Sequence, residues 1–133
     1  MQRDVSYTVL STDAAGIPTD ALGLNRPAGQ DEHPHTVSAS VHRGAAHIDV
    51  VLVRGLCPTG GYSLEVLGVQ VSEQGDGDRI TITVSLCDPG PGDIVTMMVN
   101  RPALVVRVRR QDVAAVRVQT EAGQVLDEIE VGS

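Results

Sequence analysis

The stretch Ile48-Asp49-Val50-Val51-Leu52-Val53-Arg54 decides the fold. Ile48, Val50 and Leu52 share one parity while Val51 and Val53 take the other, so the run 46–54 reads as a central strand covered on both faces. Valine supplies 21 of the 133 residues, and this β-branched excess favours strands over helices on either side of that run. Working outward, Val-rich segments punctuated by Gly, Pro and Asp place strands at roughly 5–10, 37–43, 46–54, 62–73, 79–87, 94–99, 103–110, 113–120 and 125–131. About eight short strands with turn chemistry between them indicate an all-β domain, an antiparallel sandwich or a partly open barrel. The length suits one domain over 1–133, with a strand and irregular arm over 1–36 and a closing hairpin over 112–133. The arm, from about Gly16 to His35, collects Gly, Pro, Asp, Asn and Gln with no sustained period.

Two hairpins can be registered. Folding about Gly75-Asp76-Gly77-Asp78 sets Val71 opposite Ile82 and Val69 opposite Val84. Leu64 and Val66 fall on the other parity from Leu67, Val69 and Val71, which predicts a bulge near Gly68 that returns the earlier pair to the core. A turn at Glu121-Ala122-Gly123-Gln124 pairs Val116 with Ile129 and sets Arg117 across from Glu128 as a solvated contact.

Charge and composition exclude several functions. The net charge is −7, all ten basic residues are Arg, and Tyr7 and Tyr62 are the only aromatic side chains of the Phe, Trp and Tyr kind. An acidic chain without stacking platforms is a poor binder of nucleic acid, sugars or anionic membranes. Apolar runs such as Val50 to Val53 and Ala103 to Val106 are far too short to make a membrane-spanning helix. No apolar leader follows Met1, which fits a cytoplasmic protein, or an extracytoplasmic one whose leader has been removed.

The chemistry-bearing residues are sparse. Asp31, Glu32, His33 and His35, with His42 and His47 as further donors, are a cluster to weigh for a divalent ion; a polar His-bearing loop is more often plain solvated chain, so no metal site and no cofactor is assigned. No nucleophile elbow or comparable signature surrounds Cys57 or any Ser, and no enzymatic activity is expected. The fold-back of 62–87 could bring Cys57 and Cys87 to bridging distance, with two buried thiols as the alternative. Arg107, Arg109, Arg110 and Arg117 form a basic stripe, read as a charge-balanced face with Glu128 and Glu130 or as a docking stripe.

One constellation stands out by its order. Pro58-Thr59-Gly60-Gly61-Tyr62 follows the central strand, Asp88-Pro89-Gly90-Pro91-Gly92 comes next, and Asn100-Arg101-Pro102 opens an aliphatic strand. In this arrangement residues 44–110 resemble the PrcB C-terminal domain family, accessory subunits of bacterial protease complexes. Where that family usually carries an aromatic after the last Pro, this chain has Ala103. A more distant likeness is to chagasin-type cysteine-protease inhibitors, in which a Pro-Thr-Thr-Gly-Tyr loop and an Arg-Pro loop enter a protease cleft. Both likenesses imply a non-enzymatic protein-interaction module whose partner is a protein, with a protease among the candidates. Its working surface would be Pro58, Thr59, Gly60, Gly61 and Tyr62, with Pro89, Gly90, Arg101 and Pro102 beside them, and Tyr62 and Arg101 as anchors. The competing expectation is a self-assembling β-protein that forms homo-oligomers through its strand edges.

Overall fold

The computed structural model describes residues 2–11, 35–44, 46–57, 61–74, 77–90, 92, 94, 101–109 and 113–130. Among them are nine strands in chain order: β1 (Gln2–Asp4), β2 (Tyr7–Leu10), β3 (Val37–Arg43), β4 (Ile48–Arg54), β5 (Ser63–Gln74), β6 (Gly77–Cys87), β7 (Ala103–Val108), β8 (Val113–Thr120) and β9 (Val125–Glu130). They form a five-stranded sheet in the order β1-β5-β6-β8-β9 and a four-stranded sheet in the order β2-β7-β4-β3. The two sheets bury Ile48, Val50, Leu52, Val106 and Val108 of one against Val69, Val71, Ile80, Ile82, Val84, Val116 and Val118 of the other. Fully burying such side chains stabilises by about 1.5–3 kcal/mol each, which makes this interior the reason the sheets stay together. No helix among the described residues is long and apolar enough to cross a membrane.

β4 is interior to its sheet and every one of its residues is buried. Its second parity packs too: Val51 and Val53 join Val105 in a smaller cluster on the other face, flanked by Leu10 and Ala103. Asp49 shares that face and receives Arg107 from the neighbouring strand, so the aliphatic row ends in an ion pair.

The bulge falls where the parity break requires it, between Val66 and Gly68. Leu67 is the extra residue, 43 % exposed, while Leu64 and Val66 return to the core. The hairpin register differs by two from the sequence expectation: Val71 lies opposite Ile80 and Val69 opposite Ile82, because the strands run to Gln74 and Gly77 and leave only two residues for the turn. A shift of two preserves the face, so the buried set is unchanged. The second hairpin pairs Val116 with Ile129 and Arg117 with Glu128 as expected.

Three elements depart from the sequence reading. The strand expected over 5–10 is shortened to β2, Tyr7–Leu10, which pairs with β7, because the chain crosses at Val5 and Ser6 from β1, an additional strand that pairs with β5. The sheets are not wholly antiparallel, because β6 and β8 run parallel. The chain reaches the opposite sheet through β7 before returning, so β8 arrives with the direction of β6. Ile94 lies outside any strand and is fully exposed, and the rest of the expected strand 94–99 lies outside the described residues, as do 12–34 of the arm.

Both lateral seams are tied by the chain itself. The crossing segment closes one, with Val5 N–H donating to the Val69 carbonyl at 3.1 Å. At the other, the Ala39 N–H of β3 donates to Asp127 Oδ2 of β9 at 2.8 Å.

Candidate functional site

At the end of β4 the chain places an arginine inside the protein. Arg54 has no exposed surface. A guanidinium is tolerated there only when its donors are met, and here they are met by the elements around the loop end. Nη1 donates to the Ser63 carbonyl at 2.7 Å, where β5 begins, and to the Cys87 carbonyl at 2.9 Å, where β6 ends. Nη2 donates to Asp88 Oδ1, the residue that enters the Pro89-Gly90 turn. The guanidinium also lies 5.1 Å from the centre of the Tyr62 ring, within cation–π range. The Arg54 backbone N–H donates to the Pro102 carbonyl at 2.8 Å, and the next residue, Gly55, donates to the Thr36 carbonyl at 2.8 Å. One side chain and its backbone thus join the segments that flank all three expected loops.

Asp88 takes a second partner, His35 Nε2, at 2.9 Å. Burial is the largest single influence on its carboxyl and favours the neutral form. The hydrogen bonds from Arg54 and His35 and the charges of both outweigh it, so the Asp88 pKa lies below the ordinary carboxylate value.

The expected contact residues separate into those displayed and those buried. Gly61 is exposed and has φ of 88°, a backbone region open to glycine and costly for other residues. Tyr62 is half-buried, its ring held by Arg54, and Pro89 is half-buried beside an exposed Gly90. Pro102 is half-buried and uses its carbonyl to hold Arg54. Arg101 differs from the expectation: it is only 6 % exposed, so its side chain belongs to the interior and does not serve as a displayed anchor. Pro58, Thr59 and Gly60 lie outside the described residues.

Cys57 and Cys87 are not bridged. The Cys57 thiol is buried and donates to the Gly55 carbonyl at 3.3 Å, whereas Cys87 is exposed with its sulfur 3.9 Å from Ser85 Oγ. With one thiol buried and the other exposed, neither the possible bridge nor the alternative of two buried thiols describes the pair.

The remaining candidates disperse. Asp31, Glu32 and His33 lie outside the described residues. His35 is at the Arg54 end of β3, while His42 lies opposite Asp49 at the far end. His47 Nε2 stands 3.6 Å from Asp49 Oδ1. Among the described residues no three His, Cys, Asp or Glu side chains converge as metal ligands would. The basic stripe divides between sheets. Arg107 binds Asp49 through Nε at 2.8 Å and Nη2 at 3.0 Å, and Arg117 Nε binds Glu128 at 2.8 Å. These two arginines belong to charge-balanced pairs, Arg109 is exposed, and Arg110 lies outside the described residues. The Arg107 bond is the largest influence holding the Asp49 pKa below its ordinary value, and the Arg117 bond does the same for Glu128.

Sequence reasoning did not single out Arg54. The signal was present, since an arginine closing a strand whose other residues read as buried has to find its partners indoors.

The architecture and this loop end define an all-β sandwich that shows its turns at one end, braced from within. Residues 49–109 match the PrcB C-terminal family, so this part of the chain is similar to PrcB-type C-terminal domains. The matched span runs from β4 to the end of β7 and contains Arg54, Gly61, Tyr62 and Asp88. No match was found among curated proteins or among solved structures. The chagasin likeness rests on the loop residues alone.

Proposed function

We propose that the protein is a non-enzymatic interaction module that grips a protein partner, a protease of its own complex, through the Gly60-Gly61-Tyr62 loop and the adjoining Pro89-Gly90 turn. The observation that carries this reading is the fully buried Arg54, whose guanidinium binds Ser63, Cys87 and Asp88 and lies against Tyr62. A buried cation costs several kcal/mol to desolvate, and a buried ion pair taken as a whole gives little net stability compared with apolar residues in place of both partners. What it does supply is position: it fixes the start of β5, the end of β6 and the Tyr62 ring in one arrangement. Holding those elements before the partner arrives reduces the ordering entropy of association. Tyr62 then offers a rigid, half-displayed ring, a residue type favoured at interface centres, beside the exposed backbone of Gly61. The two seams closed by Val5 and Asp127 also favour the loops over the lateral strand edges as the working surface.

The test is capture from a native lysate and culture medium with the tagged protein, followed by mass spectrometry. An endopeptidase retained by the wild type and lost with Gly61→Val and with Tyr62→Ala, both folded by circular dichroism, is the expected result. Retention of the same enzyme by both variants would overturn the loop-end reading.

A further inference from the structure

The same end of the sandwich carries a notch one strand wide. β8 runs beside β6 only as far as the Val84–Thr120 pair, and then the chain turns away, with Gly123 N–H donating to the Thr120 carbonyl and Thr120 N–H to the Gln124 carbonyl, both at 2.9 Å. β6 continues to Cys87. Ser85, Leu86 and Cys87 pair with β5 on one side, and among the described residues no strand pairs with them on the other. Three residues of strand amount to about 10 Å of edge. A space of about 400 Å³ opens at this place, with Leu86 and Leu126 among its walls and His35, Ser85, Glu121 and Ala122 around them.

We infer that this notch seats a short extended segment of a protein partner, added beside Ser85–Cys87 as a β-strand, with an aliphatic side chain toward Leu86 and Leu126 and basic side chains beside Glu121. Three observations select this occupant. A truncated ladder presents main-chain donors and acceptors, and another main chain meets them at the regular spacing. The walls offer apolar surface from Leu86 and Leu126 at a place where strand side chains alternate. The charge at the rim comes from the exposed Glu121 on a chain of net −7, which complements a basic segment and repels an acidic one. The notch adjoins the loop end through the His35–Asp88 bond, so the inference rests on the loop-end reading and names the kind of segment its partner extends.

The probe is a blocked pentapeptide alternating lysine and valine, titrated to millimolar concentration into the ¹⁵N-labelled full chain. Saturable shifts of the Ser85, Leu86 and Cys87 amides are expected. N-methylation of one main-chain nitrogen that faces β6 should weaken binding about tenfold, the worth of one hydrogen bond. The glutamate–valine counterpart should bind several-fold more weakly. Ala122→Trp, on the exposed turn, should abolish the shifts, while Tyr62→Ala should keep them. Absence of saturable shifts at 85–87, equal binding of the N-methylated peptide, or equal binding of the acidic peptide would each overturn the inference. The two readings fail separately. Protease capture that depends on Tyr62 but not on Ala122→Trp retains the loop end and removes the notch; peptide binding with capture indifferent to Tyr62 and Gly61 removes the loop end.

Discussion

Replacing Arg54 by methionine keeps an unbranched side chain of similar reach and deletes the guanidinium. Three acceptors then lose their donor: the carbonyls of Ser63 and Cys87 and the carboxylate of Asp88. Removing one partner of a buried pair costs about 3–5 kcal/mol when the survivor stays dry. Asp88 has a side chain 39 % exposed and keeps His35, so it rehydrates and the loss falls at the lower end, about 3 kcal/mol. For a domain of this length each kcal/mol moves Tm by about 4 °C, so thermal unfolding followed by circular dichroism should show a fall of roughly 12 °C. Arg54→Lys should recover part of the loss, because an ammonium cannot span all three acceptors as the planar fork does. A double-mutant cycle with Asp88→Asn should give a coupling of about 1–3 kcal/mol. An Arg54→Met protein within about 1 kcal/mol of wild type would refute the view that this side chain organises the loop end.

Other consequences can be measured on the same protein. Gly77 has φ of 132° and an added Cβ would lie 2.6 Å from the Ala114 Cβ, so Gly77→Ala should cost about 2–4 kcal/mol in urea unfolding. Gly68→Ala, where nothing lies within 4 Å, should be neutral or stabilise by up to about 1 kcal/mol. Iodoacetamide should label Cys87 in the folded protein and Cys57 only after unfolding, one adduct per native chain by mass spectrometry; no native adduct would contradict the placement of Cys87. The folded-state pKa of Asp49 lies below its ordinary 3.8, so the stability from its Arg107 bond is present above that value and lost as pH falls through the lowered one. The stability gap between wild type and Asp49→Asn should therefore be constant near neutrality and close in strong acid; a gap that widens in acid would reverse the sign. Leu67→Ser should change stability by less than about 0.5 kcal/mol, since the bulge already exposes that side chain.

What was legible in the sequence is what period two controls. The parity of Ile48, Val50 and Leu52 against Val51 and Val53 identified the interior strand, and the break at Leu67 located the bulge. The Arg117–Glu128 pair followed from the turn at Gly123. Strand direction was not legible, because side-chain alternation is the same in parallel and antiparallel ladders, and so the β6–β8 pairing was missed. β1 escaped notice because Gln2, Arg3 and Asp4 pair through main chain and supply no apolar pattern. At the loop end the order of glycine, tyrosine and proline residues drew attention to these turns, but not to the arginine that braces them. Arg101 beside a proline resembled a displayed anchor, yet the buried Arg54 makes the contacts that join the loops.

Rigidity of the loop end before any partner binds tests the central claim most directly. ¹⁵N relaxation of Gly61, Tyr62 and Ser63 should give order parameters near 0.85, equal to those of β4, and should fall below about 0.6 in Arg54→Met. Low order parameters already present in the wild type, or unchanged values in the variant, would contradict it.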